Sequence, residues 1–198
     1  MSAYGVQGPQ TGQAEVIAFR NAEEFEAWLE KHVDLSVGVW IKIAKKGSGV
    51  TSLTDDEAVD IGLCYGWISG QRMAHDEVYY LQKYVPRRPR SRWSQVNVRK
   101  ADALIAAGLM RRPGLAEIEA AKADGRWDAA YQSQKQAIVP PDLATALAAD
   151  PRATSAFESL SKTGQYAVIL DLVTARSAET RAAHLRKALT ALVAQNQV

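Results

Sequence analysis

Every strand-like alternation in this 198-residue chain lies before Pro86, and the chain after Trp93 is written in helical signals. The break is the stretch KYVPRRPRSRWSQVNVRK at 83–100. Pro86 and Pro89 disfavour a helix there and stiffen the backbone towards an extended path. This ordering predicts an α+β fold. A small, mostly antiparallel sheet with helices comes first, and an all-α C-terminal bundle follows.

The same stretch carries a charge asymmetry. It holds seven basic residues and no acid, in a chain with 24 Lys+Arg and 22 Asp+Glu. Setting it aside leaves 17 basic against 22 acidic residues, net −5. Arg87, Arg88, Arg90 and Arg92 fall within six positions, closed by Trp93. Arginine suits planar, two-bond recognition of carboxylate or phosphate and stacking on rings. The segment therefore reads as a clamp for an anionic or aromatic ligand. The competing reading is a structural hub, with the arginines on the protein's own acids and Trp93 in a core.

Local signals place the elements. Asn21 with Glu24 three residues on predicts a helix over 22–32. VGVWIKIA at 37–44 alternates as a strand, and KKGSG at 45–49 is a loop. Thr54 with Glu57 opens a second helix, which Gly66 stops. Strands follow at 67–72 and 77–85 around a turn at 74–76. Ser94 caps a helix to Ala107, and Pro113 fits the first turn of another that ends at Asp124-Gly125. Three or four more helices complete the chain, with starts at Asp150-Pro151, Ser161 and Ser177. The expected division is a flexible tail 1–15, an α+β domain 16–125, a linker 126–141 and a helical module 142–198.

Several function classes lose support here. No apolar run approaches the roughly 18 residues of a membrane helix, so no membrane insertion is expected. The N-terminus lacks the charged start and apolar core of a signal peptide, and the single Cys64 suits a cytoplasmic setting. His32, His75 and His184 are scattered, so neither a metal nor another cofactor is expected. The acidic balance outside 83–100 opposes a nucleic-acid partner.

The candidate ligand-binding residues surround two tryptophans. Trp67, Ser69 and Gln71 share one face of a strand, between Gly66 and Gly70. Arg72 follows them, and Lys45 ends an earlier strand. Arg87, Arg88, Arg90, Arg92, Trp93 and Asn97 complete the set. The bland alternative makes Trp67 core and its polar neighbours solvated. Ser69 does not sit in a nucleophile elbow, because the order is G-x-x-S-G.

VWIKIAKKGSG at 39–49, LCYGWISGQ at 63–71 and PRRPRSRWSQVN at 86–97 resemble the YdeI/OmpD-associated family, labelled bacteriocin-protection proteins. AGLMRRPGLAEIEAAKADGRWDAAY at 107–131, VPPDL at 139–143 and ETRAAHLRK at 179–187 carry the resemblance further. One departure stands out: Ser69 occupies the place of an aspartate in the family's G-W-I-D-G. The resemblance implies a bacterial protein with a helical C-terminal module, and no established reaction. The resulting expectation is a binding protein for a small-molecule or peptide ligand that is anionic or aromatic, used to protect against an antimicrobial. An enzyme using the same pocket and a module that binds a protein partner are the alternatives.

Overall fold

The computed structural model describes residues 14–195. The chain forms two compact units: Met1–Ser91 with Lys100–Glu119, and Arg92–Arg99 with Ala120–Val198. Up to residue 13 the expected tail lies outside the described residues, and Glu15 already belongs to a strand.

Unit 1 carries a four-stranded mixed sheet in the order β1-β2-β4-β3. β1 (Glu15–Ile17) runs parallel to β2 (Val39–Ala44). β4 (Tyr79–Pro86) is antiparallel to β2 and to β3 (Trp67–Ala74). The register pairs Val39 with Tyr84, Ile41 with Gln82 and Ile43 with Tyr80, so these six share a face. Against it pack α1 (Ala22–Lys31) and α2 (Asp55–Cys64), with Phe25, Leu29, Ala58 and Cys64 buried in one core with Tyr84 and Trp67.

Capping fixes where the two helices begin. Thr54 and Glu57 form the complete box, with Thr54 Oγ1 accepting from the Glu57 N–H and the Glu57 carboxylate accepting from the Thr54 N–H. Asn21 accepts from the Glu24 N–H, but Glu24 turns back to the Arg20 backbone and side chain. Only half of the expected reciprocity is present at α1.

β3 corrects one expectation. Ser69 pairs with Tyr84 and Arg72 pairs with Gln82, so three steps on β3 match two on β4. This bulge inserts one residue and breaks the alternation. Trp67 and Ser69 keep one face, but Arg72 rather than Gln71 continues it.

Helices α3 (Gln95–Ala106) and α4 (Arg112–Ala123) each contribute residues to both units. Within unit 1, the start of α4 lies tight on the end of α2. The Arg111 N–H donates to the Cys64 carbonyl at 3.2 Å. A Cβ on Gly114 would stand 2.4 Å from that oxygen, and one on Gly66 would meet the Pro113 carbonyl at 3.0 Å. The space beside Gly66 is thus taken by backbone.

Unit 2 contains α5 (Pro141–Ala148), α6 (Pro151–Ser159), α7 (Lys162–Val173) and α8 (Ala178–Gln195). Asp150, Ser161 and Ser177 each accept from an N–H two or three residues on, at the helix starts expected from the sequence. Leu143, Leu147, Phe157, Ile169, Leu172 and Leu192 form the core, flanked by Ala137 and Val139. Arg181 ties three of these elements. Its guanidinium holds Asp142 through two bonds of 2.7 and 2.8 Å and donates to the Leu172 carbonyl at 2.8 Å. Within 126–141, Tyr131 is bonded through its backbone to Trp93 and Gln95. Among the described residues no helix is long and apolar enough to cross a membrane.

Candidate functional site

In unit 1 a cavity of about 540 Å³ opens between the end of β2, the following loop and the start of α2. The sequence dictates this loop. Gly47 and Gly49 adopt left-handed φ of 84° and 76°, which other residues disfavour. Ser52 closes it by accepting from the Ala44 N–H at 3.0 Å and donating to the Leu53 carbonyl. Lys45, Lys46, Ser48, Thr51 and Asp55 lie on the wall, with Tyr80 of β4. The Lys45 ammonium donates to the Asp76 carbonyl at 2.7 Å, which anchors the side chain at the mouth.

Arg72 organises the inner wall. Its Nη2 meets Asp55 at 2.6 Å, its Nε donates to Gln82 Oε1 at 2.8 Å, and its guanidinium lies 4.5 Å from the centre of the Tyr80 ring. Gln82 is almost fully buried and spends its amide N–H groups on the Gly70 and Gln71 carbonyls, at the bulge. The bulge that displaced Gln71 is therefore what aims Arg72 at Asp55. Burial pushes the Tyr80 phenol above its ordinary range, with the nearby Asp55 carboxylate acting the same way. The Tyr84 phenol is pushed up further for the same first reason. Both hydroxyls stay protonated through neutral pH.

The expected residues scatter around this arrangement. Lys45 and Arg72 belong to the cavity region. Trp67 is core, edge-on to Trp28 with ring centres 5.9 Å apart. Ser69 and Gln71 are exposed, and among the described residues Ser69 makes no bond to a histidine or carboxylate. Arg87 is buried, and its N–H donates to the Gly66 carbonyl. Arg88 and Arg90 are exposed in a tight turn, where the Ser91 N–H donates to the Arg88 carbonyl and Ser91 Oγ accepts from the Arg88 N–H.

The remaining three lie in unit 2. Arg92 pairs with Asp171 at 3.0 Å. Trp93 is buried with its ring 4.8 Å from that of Trp127. The Asn97 N–H donates to Ser94 Oγ at the first turn of α3. The basic stretch is thus divided between two units, with 83–91 and Lys100 in unit 1 and 92–99 in unit 2.

Sequence reasoning missed Lys46, Asp55, Tyr80 and Gln82. Asp55 stands in the first turn of α2, where an acid suits the helix dipole, and its pairing with Arg72 crosses 17 positions. The signal for Tyr80 and Gln82 was present: the alternation through Tyr84 puts all three on one face. Burial pushes the Cys64 thiol up to about 11, which keeps it protonated at neutral pH. Among the described residues no cluster of His, Cys, Asp and Glu could hold a metal ion.

Comparison with known proteins gives two family matches. Residues 17–117 match the model of a domain of unknown function, DUF8412. Residues 136–195 match the model described as Bacteriocin-protection, YdeI or OmpD-Associated. No curated protein and no solved structure matches the chain. The chain therefore belongs to the DUF8412 family through the part that carries the sheet and the loop cavity, and its 136–195 segment is similar to the YdeI/OmpD-associated family.

Proposed function

We propose that this chain is a binding protein that holds a small or peptidic ligand, anionic and with a planar or aromatic part, in the loop cavity of unit 1. One observation carries the reading: Lys45, Lys46, four Ser and Thr side chains (Ser48, Thr51, Ser52 and Thr54) and Tyr80 line a single cavity of about 540 Å³. That size lies within the range of small-molecule sites. The lysines attract the anion, Tyr80 supplies a flat wall, and Arg72 positions Tyr80 and Asp55. The mostly antiparallel sheet is the rigid support, and the helical C-terminal part is a separate all-α bundle. The description of the 136–195 family names bacteriocin protection, and the use we propose is sequestration of a peptide antimicrobial in the cytoplasm of a bacterial cell.

The test is a thermal-shift screen with antimicrobial peptides, amino-acid derivatives, nucleotides and short oligonucleotides, followed by calorimetry on each hit. A ligand at 100 times its Kd raises the stability of the native state by about 2.7 kcal/mol. Lys45→Ala combined with Lys46→Ala should weaken binding by about tenfold or more. Binding of compact anions should fall little between about 0.05 and 0.3 M salt, since enclosed pairs are screened less than exposed ones. Hits that ignore the double substitution, or that are confined to oligonucleotides with a steep salt slope, would refute the reading.

A further inference from the structure

Unit 2 holds a cavity of different chemistry, with a volume of about 350 Å³. One wall is the segment leading into α5, where Ile138, Val139, Pro140 and Pro141 follow one another. The other is α7, through Ile169 and Val173. Two phenols, Tyr131 and Tyr166, and the amides of Gln95 and Gln132 supply its polar edge. None of the lining residues carries a formal charge. The site is also preformed. Two prolines fix one wall, and the Tyr166 hydroxyl donates to the Gln132 carbonyl at 2.8 Å, fastening the chain before α5 to α7. Ile138 at the rim is 76% exposed, far beyond the other exposed large apolar side chains among the described residues.

We infer that this cavity is a binding site for a small, uncharged, largely apolar molecule with one or two hydrogen-bonding groups. An ion would be desolvated there without a counter-charge, which is costly. An apolar body instead meets Val139, Ile169 and Val173, while the Tyr131 hydroxyl and the amides satisfy its polar group. Ile138 then closes over the occupant and loses its exposure to water. The inference is independent of the loop cavity in unit 1.

The probe is prodan, a neutral naphthalene dye whose emission shifts to the blue in apolar surroundings, titrated into the full chain. The expected result is a blue shift that saturates with Kd below roughly 100 μM. A sulfonated naphthalene of similar size should bind about tenfold worse or not at all. Ile138→Ser, at an exposed position that leaves the fold intact, should weaken prodan binding by about three- to tenfold. Val173→Trp should fill the cavity and abolish the shift; should that variant fail to fold, Ile138→Ser alone decides. No saturable shift up to about 1 mM, equal binding of the sulfonate, or unchanged affinity in Ile138→Ser would overturn the inference.

Discussion

Replacing Gly114 by alanine probes the contact that joins the end of α2 to the start of α4. The new Cβ would lie 2.4 Å from the Cys64 carbonyl oxygen, 2.5 Å from that of Leu63 and 2.6 Å from Met110 Sδ. Two of these neighbours are backbone atoms that cannot rotate away, so the chains must separate by about 1 Å to reach ordinary contact. That movement strains the Arg111 N–H to Cys64 bond. Overpacking costs about 1–3 kcal/mol and a weakened bond about 1, offset by up to about 1 from alanine's helix preference. With the full offset the net expectation is about 1–3 kcal/mol of destabilisation, or a Tm lower by roughly 2–12 °C at this chain length. Gly164 is the matched control, since it too is the third residue of its helix, α7. The nearest atoms to a Cβ there belong to the Leu160 side chain, at 3.2 and 3.6 Å, and to Ser161 Oγ at 3.6 Å. Leu160 can turn aside, so Gly164→Ala should stay within about 0.5 kcal/mol of the parent. Urea unfolding followed by circular dichroism measures both. Equal effects, or a Gly114→Ala cost under about 1 kcal/mol, would refute the reasoning from backbone proximity.

Three further outcomes follow from the geometry. Asp142 is held below the usual carboxylate range, first by the Arg181 hydrogen bonds, so its contribution to stability is present above about pH 4 and is lost as pH falls through the lower folded value; Asp142→Asn should lower Tm by a few degrees at pH 7, and thermal melts should show that gap closing in acid. The buried Cys64 thiol, pushed up to about 11, should react with Ellman's reagent at pH 8 at least about a hundredfold more slowly in the native chain than in urea. A fragment 136–198 retains Ala137, Val139 and the whole apolar cluster of unit 2, so it should give a cooperative urea transition, while 141–198 should unfold at lower denaturant.

Local chemistry was legible in the sequence and long-range geometry was not. Thr54, Asp150, Ser161 and Ser177 announce their helices because a cap is written within three or four residues of itself. β1 was invisible because three residues cannot show a period, and its parallel partner lies across α1. Pro140-Pro141 read as a linker, although Pro141 occupies the first position of α5, where its missing N–H costs nothing. At the site, Lys45 and Arg72 were found by charge and position. Their partners were not, because Arg72 meets Asp55 only through a bulge that no alternation pattern foretells. Lys100 likewise spans about 40 positions to reach Asp56 and Asp60 on α2, and so the acids crowding that helix are partly neutralised by a residue of the basic stretch.

The motifs most specific in sequence prove to be those that build the frame. Gly66 and Trp67 occur where α2 ends, and Gly114 is the residue that lets α4 approach that end. Arg87 continues the same joint through its bond to the Gly66 carbonyl. Changes there act on stability first. The loop at 45–54 behaves differently, since a Cβ on Gly47 or Gly49 would meet nothing within 4 Å. Its constraints are the two left-handed φ angles, the Ser52 closure, the Thr54 cap and Leu53, which is buried in the core, while Lys45, Lys46, Ser48, Val50 and Thr51 lie on the cavity wall. Frame and cavity wall are therefore separable: the residues that fix unit 1 are not those that would choose its ligand. Exchanging Lys46, Ser48 and Thr51 should alter what is bound while leaving the melting temperature nearly unchanged, because surface substitutions away from caps and cores move stability by about 0.5 kcal/mol or less.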